Sequence, residues 1–203
     1  MAVISAKKVA IISAIITLVS FIYKLTIGIL ATSLVMIIAA VPTLMVFICK
    51  AAFAKNMNQT RAQKKKAYLT MTIATTIFSA LFIMFVILKV GGIDIKNENR
   101  FEGWIALLFI AFILLMFILS IINLNSSLDK KDIVKIGMRQ ITFVSALADM
   151  VMIQEFAFRY IYSLGVEKTQ MLLYLNNGIT LAIAVFMIIV PISMIGRLRK
   201  YKV

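Results

Sequence analysis

The chain of 203 residues has no histidine, one cysteine, two prolines and only eight acidic residues. The absence of histidine excludes histidine-dependent catalysis, haem ligation by histidine and histidine-based metal sites. The lone Cys49 excludes an internal disulfide framework and any CxxC metal or redox motif. The sequence also lacks a repeated acidic metal motif, a serine or cysteine nucleophile beside a base, and a glycine-rich phosphate loop. We therefore expect no enzyme activity, no cofactor and no bound metal.

Apolar residues dominate the sequence that remains. They make up 63% of the chain, against 15% charged residues, which excludes an ordinary soluble globular domain and predicts an integral membrane protein. No Pro/Gly/Ser-rich linker divides the chain, so we expect residues 1–203 to form a single polytopic transmembrane domain. The net charge of +14 would suit nucleic acid binding, but the basic residues lie in loops between apolar spans. Membrane topology explains them, and we expect no nucleic acid partner.

Six apolar stretches predict an all-α bundle of six transmembrane helices. They cover about residues 9–23, 25–49, 67–88, 103–124, 141–162 and 171–196. The first two follow from length, because the apolar region from Val9 to Cys49 is about twice the roughly 20 residues that one crossing needs. Only Lys24 is charged within it. We therefore place a hairpin turn at Lys24, followed closely by Gly28, with the lysine ammonium reaching the membrane interface.

Lysine and arginine are concentrated in alternate connecting segments. The leader before residue 9, the loops 50–66 and 125–140 and the tail after residue 196 hold most of the 22 basic residues. By the positive-inside rule these segments, and with them both termini, are cytoplasmic, and we expect the protein in a bacterial plasma membrane. The basic loops either bind anionic lipid headgroups or act only as topology signals.

One predicted span, residues 141–162, carries Asp149, Glu155 and Arg159 and is called the charged span below. A charge at the centre of a membrane helix opposes insertion by about 2.5–3.5 kcal/mol. Ionisable side chains inside membranes therefore usually face the bundle interior or a water-filled cavity and find partners. At about 100° per residue the three charges fall on one polar stripe, and the opposite arc is apolar except for Gln154.

These charges raise two separate hypotheses. Glu155 and Arg159 have the i, i+4 spacing and order that favour a helical ion pair. Asp149 has no such partner in its own helix, and because desolvation favours the neutral form of an unpaired carboxyl, it is a candidate proton-relay or cation site. For the Glu155–Arg159 pair and for Asp149 alike, the alternative is a purely structural role that holds helices together. Asn176 and Asn177 of the last span lie level with the charged pair and either join the polar site or hydrogen-bond neighbouring helices.

Both prolines lie inside predicted spans. Pro42 and Pro191 each remove an amide donor and free the carbonyl four residues earlier, at Ile38 and Met187. We expect kinks at both positions. Broken helices often accompany transporter sites, but proline is also common in membrane helices.

Two functions fit these patterns. The first is a small multi-spanning membrane transport protein, or a channel or transporter subunit, whose polar site on the charged span handles a proton, an ion or a small solute. The second is a non-catalytic accessory subunit of a membrane complex, whose intramembrane charges pair with partner helices or lipid. Its partner would be another membrane protein or a second copy of this chain.

Overall fold

The computed structural model describes residues 6–30, 34–55, 60–91, 111, 114, 115, 117–122, 132–165, 167 and 169–200. This part of the chain is almost entirely helical. Its long helices are α1 (Ala6–Leu30), α2 (Leu34–Lys55), α3 (Arg61–Val90), α4 (Ile133–Ser163) and α5 (Gln170–Lys200). Residues 117–122 form a further helical piece within the predicted span 103–124.

Four of these helices, α1, α3, α4 and α5, are long and apolar enough to cross a membrane, and α2 contains the shorter apolar stretch Met36–Ala52. The helices α3, α4 and α5 have 30 or 31 residues. Each is therefore about 45 Å long, which exceeds a hydrocarbon core of about 30 Å. The predicted class, a helical protein with membrane-spanning helices, is confirmed. The count of six spans stays a prediction, since most of 103–124 lies outside the described residues.

The hairpin turn predicted at Lys24 is wrong. Helix α1 continues through Lys24 to Leu30, and α2 begins at Leu34. No helix breaker stands at Lys24, and the lysine finds buried partners inside the protein rather than the membrane interface. Gly28 lies within α1 and marks no turn either. It allows α1 and α2 to pack closely, because a Cβ there would lie 2.9 Å from the Ile37 Cγ1 atom.

Two helices begin earlier than predicted because residues before them cap their first turns. At the start of α3, Thr60 and Gln63 form a capping box, in which each side chain accepts a hydrogen bond from the other residue's backbone amide. At the start of α4, the Asp132 carboxylate accepts a hydrogen bond from the Val134 amide. The basic residues that sequence patterns assign to loops thus lie partly on helical turns, since hydropathy marks the apolar span and not the helix end.

Helix α4, which carries the charged span, is the centre of the bundle. It packs against α2, α3 and α5, whereas α1 packs mainly against α2. Of the most apolar stretch of α4, 72% is buried inside the protein, compared with 22% for the corresponding stretch of α1. Helix α1 is therefore peripheral. Just after α4, Gly165 has a positive φ of 84°, a conformation that glycine adopts without strain.

Apolar side chains separate into a core and an outer surface. Large core residues from α2 to α5 include Met36, Val46, Tyr68, Phe82, Val144, Met152 and Met187. Exposed apolar residues cover the outer faces of α1 and α5, among them Ile12, Ile15, Ile16, Val19, Val185, Phe186 and Ile189. A surface this apolar fits contact with lipid hydrocarbon.

Candidate functional site: two buried lysine clusters

The first polar cluster joins α1, α2 and α4 and is called the Lys24 cluster (Lys24, Thr43, Ser145 and Asp149). The Lys24 ammonium lies 2.6 Å and 2.7 Å from the two carboxylate oxygens of Asp149 and 2.8 Å from the Thr43 hydroxyl. All three ammonium hydrogens therefore have acceptors. Lys24 is only 4% exposed and Asp149 9%. Asp149 is thus not unpaired: its cation comes from another helix, 125 positions away in the sequence.

The hydroxyls of the Lys24 cluster complete its hydrogen bonding. Thr43 donates to the Ala39 carbonyl at 3.1 Å, and its oxygen lies 3.2 Å from that of Ser145. Since Thr43 uses its only proton on Ala39, Ser145 is the donor between the two hydroxyls. Ser145 stands one helical turn before Asp149, so α4 presents both side chains to the same neighbours. The result is a compact group of oxygens from two helices around one ammonium from a third.

The second polar cluster joins α3, α4 and α5 and is called the Lys89 cluster (Lys89, Gln154, Glu155, Asn176 and Thr180). Lys89 donates to the Glu155 carboxylate and, at 3.1 Å, to the Thr180 hydroxyl. The two N–H groups of the Gln154 amide are shared among three oxygens, the backbone and side-chain oxygens of Asn176 and, also at 3.1 Å, the Thr180 hydroxyl. Glu155 therefore has a partner on α3. The predicted pairing with Arg159 on the same helix stays a prediction, because the Arg159 side chain lies outside the described residues.

The two clusters occupy different sides of α4. Asp149 faces α1 and α2, whereas Glu155 faces α3 and α5. This arrangement differs from the single polar stripe that the helical angles suggest. The two acids are six positions apart, which corresponds to about 120° of rotation and about 9 Å of rise, enough for each to meet a different neighbour. Because α4 is surrounded by helices, a polar residue on either side can be satisfied.

A third set of hydrogen bonds lies nearer the start of α4. The Tyr68 hydroxyl donates to Gln140 at 3.0 Å, and Gln140 donates to the Ser193 hydroxyl at 2.9 Å. Each bond links a different pair among α3, α4 and α5. No formal charge is involved, so this set looks like ordinary interhelical hydrogen bonding in an apolar environment.

The proline in α5 leaves a backbone carbonyl without its helical donor, and the kinks at Pro42 and Pro191 stay predictions. Pro191 frees the Met187 carbonyl, and the Ser79 hydroxyl of α3 donates to that oxygen at 2.9 Å. A neighbouring helix thus satisfies the acceptor that the proline leaves open. Pro42 is also helical and lies next to Thr43 of the Lys24 cluster.

Sequence reasoning selected three of the residues described in the clusters and missed others. Asp149, Glu155 and Asn176 are hydrogen-bonded in them, while Asn177 is half-buried on α5. Among the missed residues, Lys24 and Lys89 carry charge, and both lie at or near the ends of predicted spans. Long lysine stems commonly reach from such positions towards the interface, which hid their inward direction. Gln154 gave a usable signal, since a polar residue on an apolar arc needs a partner.

The chemistry available in these clusters is limited to charge and hydrogen bonding. Among the described residues, no group of three or more metal-binding side chains comes together. The Lys24 cluster contains one carboxylate, two hydroxyls and one ammonium, which is carried on a flexible side chain. Such a set can hold a proton or exchange one cation for another, because its neutral state requires only a single positive charge.

The fold and these clusters define a helical protein that fits a membrane and carries buried ion pairs between its helices. The chain matches no protein-family model, no curated protein and no solved structure.

Proposed function

We propose that this protein is a small multi-spanning membrane transport protein, or a channel or transporter subunit, and that its Lys24–Asp149 ion pair handles a proton, an ion or a small solute. The proposed topology has six transmembrane helices with both termini in the cytoplasm of a bacterium. The alternation of basic and apolar segments supports that orientation.

The observation that carries the proposal is a buried ion pair at the middle of the central helix. Asp149 lies one position from the midpoint of the 31-residue α4, far from either end. If α4 crosses the membrane, this places the pair near the centre of the hydrocarbon core. Well-packed apolar residues often join helices at least as stably as a buried ion pair does. A purely structural joint would therefore not need these charges at this depth, whereas an exchange site would.

The reach of the Lys24 side chain supports exchange at this site. Lys24 belongs to α1, which packs against α2, and its ammonium crosses to Asp149 of α4. The flexible lysine stem can withdraw by rotation of its own side chain while α1 and α2 stay packed. In the proposed exchange this rotation separates the ammonium from the Asp149 carboxylate, and the Thr43 and Ser145 hydroxyls stay in place. The proposal thus requires a second arrangement of Lys24, in which the carboxylate is open to another cation.

The accessory-subunit function receives less support from the charges. It was suggested by intramembrane charges in need of partner helices, but Asp149 and Glu155 both meet lysines of the same chain. Their charges therefore give no reason to invoke a second protein. The exposed apolar faces of α1 and α5 fit lipid as well as they fit a partner helix.

Reconstitution into proteoliposomes tests the proposal. Flux driven by a proton or monovalent cation gradient should be lost in Asp149→Asn, because the site can no longer hold a cation or release a proton. Asp132→Asn is the matched control: it makes the same chemical change in the partly exposed Lys64–Asp132 pair, whose atoms lie 3.0 Å apart, and should keep its flux. Both variants must show wild-type helical circular dichroism.

Unchanged flux in Asp149→Asn would refute the assigned role of this carboxylate. Gentle-detergent purification with mass analysis then separates the two functions. A monodisperse lone chain with gradient-driven flux supports transport, whereas a stoichiometric protein partner together with absence of flux supports the accessory subunit.

A further inference from the structure

The oxygens around the Lys24 ammonium form a ready-made site for a cation. The ammonium nitrogen is 2.6–2.8 Å from three of them, the two Asp149 carboxylate oxygens and the Thr43 hydroxyl, and Ser145 supports Thr43 through a further contact. We infer that this cluster is a monovalent-cation site, which Lys24 fills with its own ammonium and which a free cation enters when Lys24 withdraws. The inference rests on the proposed transport function and specifies the substrate class of the same site.

Charge balance selects a monovalent cation. With Lys24 in place the cluster is neutral, because one ammonium meets one carboxylate. When Lys24 leaves, a net charge of −1 remains in an apolar bundle, and one unit positive charge restores neutrality. A divalent ion would leave an excess positive charge buried, which is costly in a low-dielectric environment.

The ligands also suit a weakly hydrated cation better than a small divalent one. The cluster supplies one carboxylate and two neutral hydroxyls, whereas Ca²⁺ sites combine several carboxylate and carbonyl oxygens, 6–8 in all, at about 2.3–2.6 Å. Mg²⁺ retains several waters and requires near-ideal octahedral geometry. A site that lies within a packed bundle and already surrounds an ammonium therefore favours ammonium or an alkali ion.

The exchange needs no other charged group in the cluster. Glu155, the other acid of α4 in the apolar region, faces a different side of the helix and is paired with Lys89. Withdrawal of Lys24 therefore leaves Asp149 as the carboxylate that attracts the entering ion. The Thr43 hydroxyl can turn its lone pair from the ammonium to the ion while it keeps its bond to Ala39.

The variant Lys24→Met tests the inference, since methionine keeps a long apolar stem and removes the tethered cation. Its thermal unfolding midpoint should rise by roughly 5–10 °C in Na⁺, K⁺ or NH₄⁺ at about 100 times the dissociation constant, relative to choline at equal ionic strength. The double variant Lys24→Met/Asp149→Asn is the matched control and should show no such rise. A rise in neither variant, or a larger rise with Ca²⁺ or Mg²⁺ than with the monovalent ions, would overturn the inference.

A second measurement uses the wild-type chain, in case Lys24→Met does not fold in any salt. With ¹³C-labelled aspartate, replacing choline by Na⁺, K⁺ or NH₄⁺ should change the infrared carboxylate band, and the change should be absent in Asp149→Asn. Absence of any change in the wild type would overturn the inference. Cation binding without flux would leave the site standing and remove the transport function. Flux without cation binding would keep transport and leave the proton as the species handled.

Discussion

The Lys24–Asp149 pair makes a quantitative prediction about stability. Lys24→Met leaves the Asp149 carboxylate buried without the ammonium that meets both its oxygens, at 2.6 Å and 2.7 Å. Removing one partner of a buried ion pair typically costs about 3–5 kcal/mol, and we expect a loss of that size in the free energy of unfolding. Asp149→Asn should lose a similar amount, because it leaves the lysine ammonium buried without a counterion.

The double variant distinguishes an ion pair from two independent contributions. Lys24→Met/Asp149→Asn removes both charges, so its loss should be smaller than that of either single variant, and the coupling energy should be roughly 3 kcal/mol or more. The Lys64–Asp132 pair provides the comparison. Its side chains are 27% and 23% exposed, and Lys64→Met or Asp132→Asn, which keeps the cap of α4, should cost about 0–1 kcal/mol.

The assay is reversible unfolding in mixed micelles, titrated with a denaturing detergent and followed by circular dichroism. Choline salt replaces alkali ions throughout, so that no free cation substitutes for Lys24. The reasoning would be refuted if both single variants stayed within about 1 kcal/mol of the wild type. It would also be refuted if the losses of the single variants simply added in the double variant.

Two further predictions concern close packing and the proline of α5. Gly137→Val should lower the unfolding free energy by about 1–3 kcal/mol, because a Cβ there would lie 2.8 Å from the Tyr68 ring. Gly178→Ala should not destabilise, because no atom beyond the local backbone lies within 4 Å of a Cβ at that position. An undiminished stability in Gly137→Val would contradict this packing. Ser79→Ala should cost about 1–3 kcal/mol, since it leaves the buried Met187 carbonyl without its donor, and an amide-I infrared shift for that carbonyl is the specific check. If Ser79→Ala leaves the unfolding free energy unchanged and shows no infrared shift, another group donates a hydrogen bond to the Met187 carbonyl.

Composition and hydropathy determined the class of this protein. A chain that is 63% apolar and has long uncharged stretches must bury them in lipid or in itself, so the helical, membrane-compatible fold follows from local sums over each stretch. The same reasoning selected α4, since three charges in one apolar span require partners. The effect of Pro191 was also predictable, because the missing amide frees a carbonyl at a fixed distance along the helix.

Helix ends were less predictable, because hydropathy does not record them. A capping box at Thr60 and a cap at Asp132 extend α3 and α4 into regions that look like basic loops. At Lys24 the error had a different origin. A lone lysine in a long apolar region is equally consistent with a position at the membrane interface and with a buried charge, and only its partner distinguishes the two.

The partners themselves were decided by the tertiary structure. Lys24 and Asp149 are 125 positions apart, and Lys89 and Glu155 are 66 apart, so no local spacing relates either pair. Each pair forms because α4 lies between its neighbours and turns one acid towards α1 and α2 and the other towards α3 and α5. The sequence alone determined that the charges of α4 need partners, since an ion cannot lie alone in hydrocarbon. Which residue supplies each counterion depends on how the helices pack, and only that packing made Asp149 part of a closed, neutral cluster.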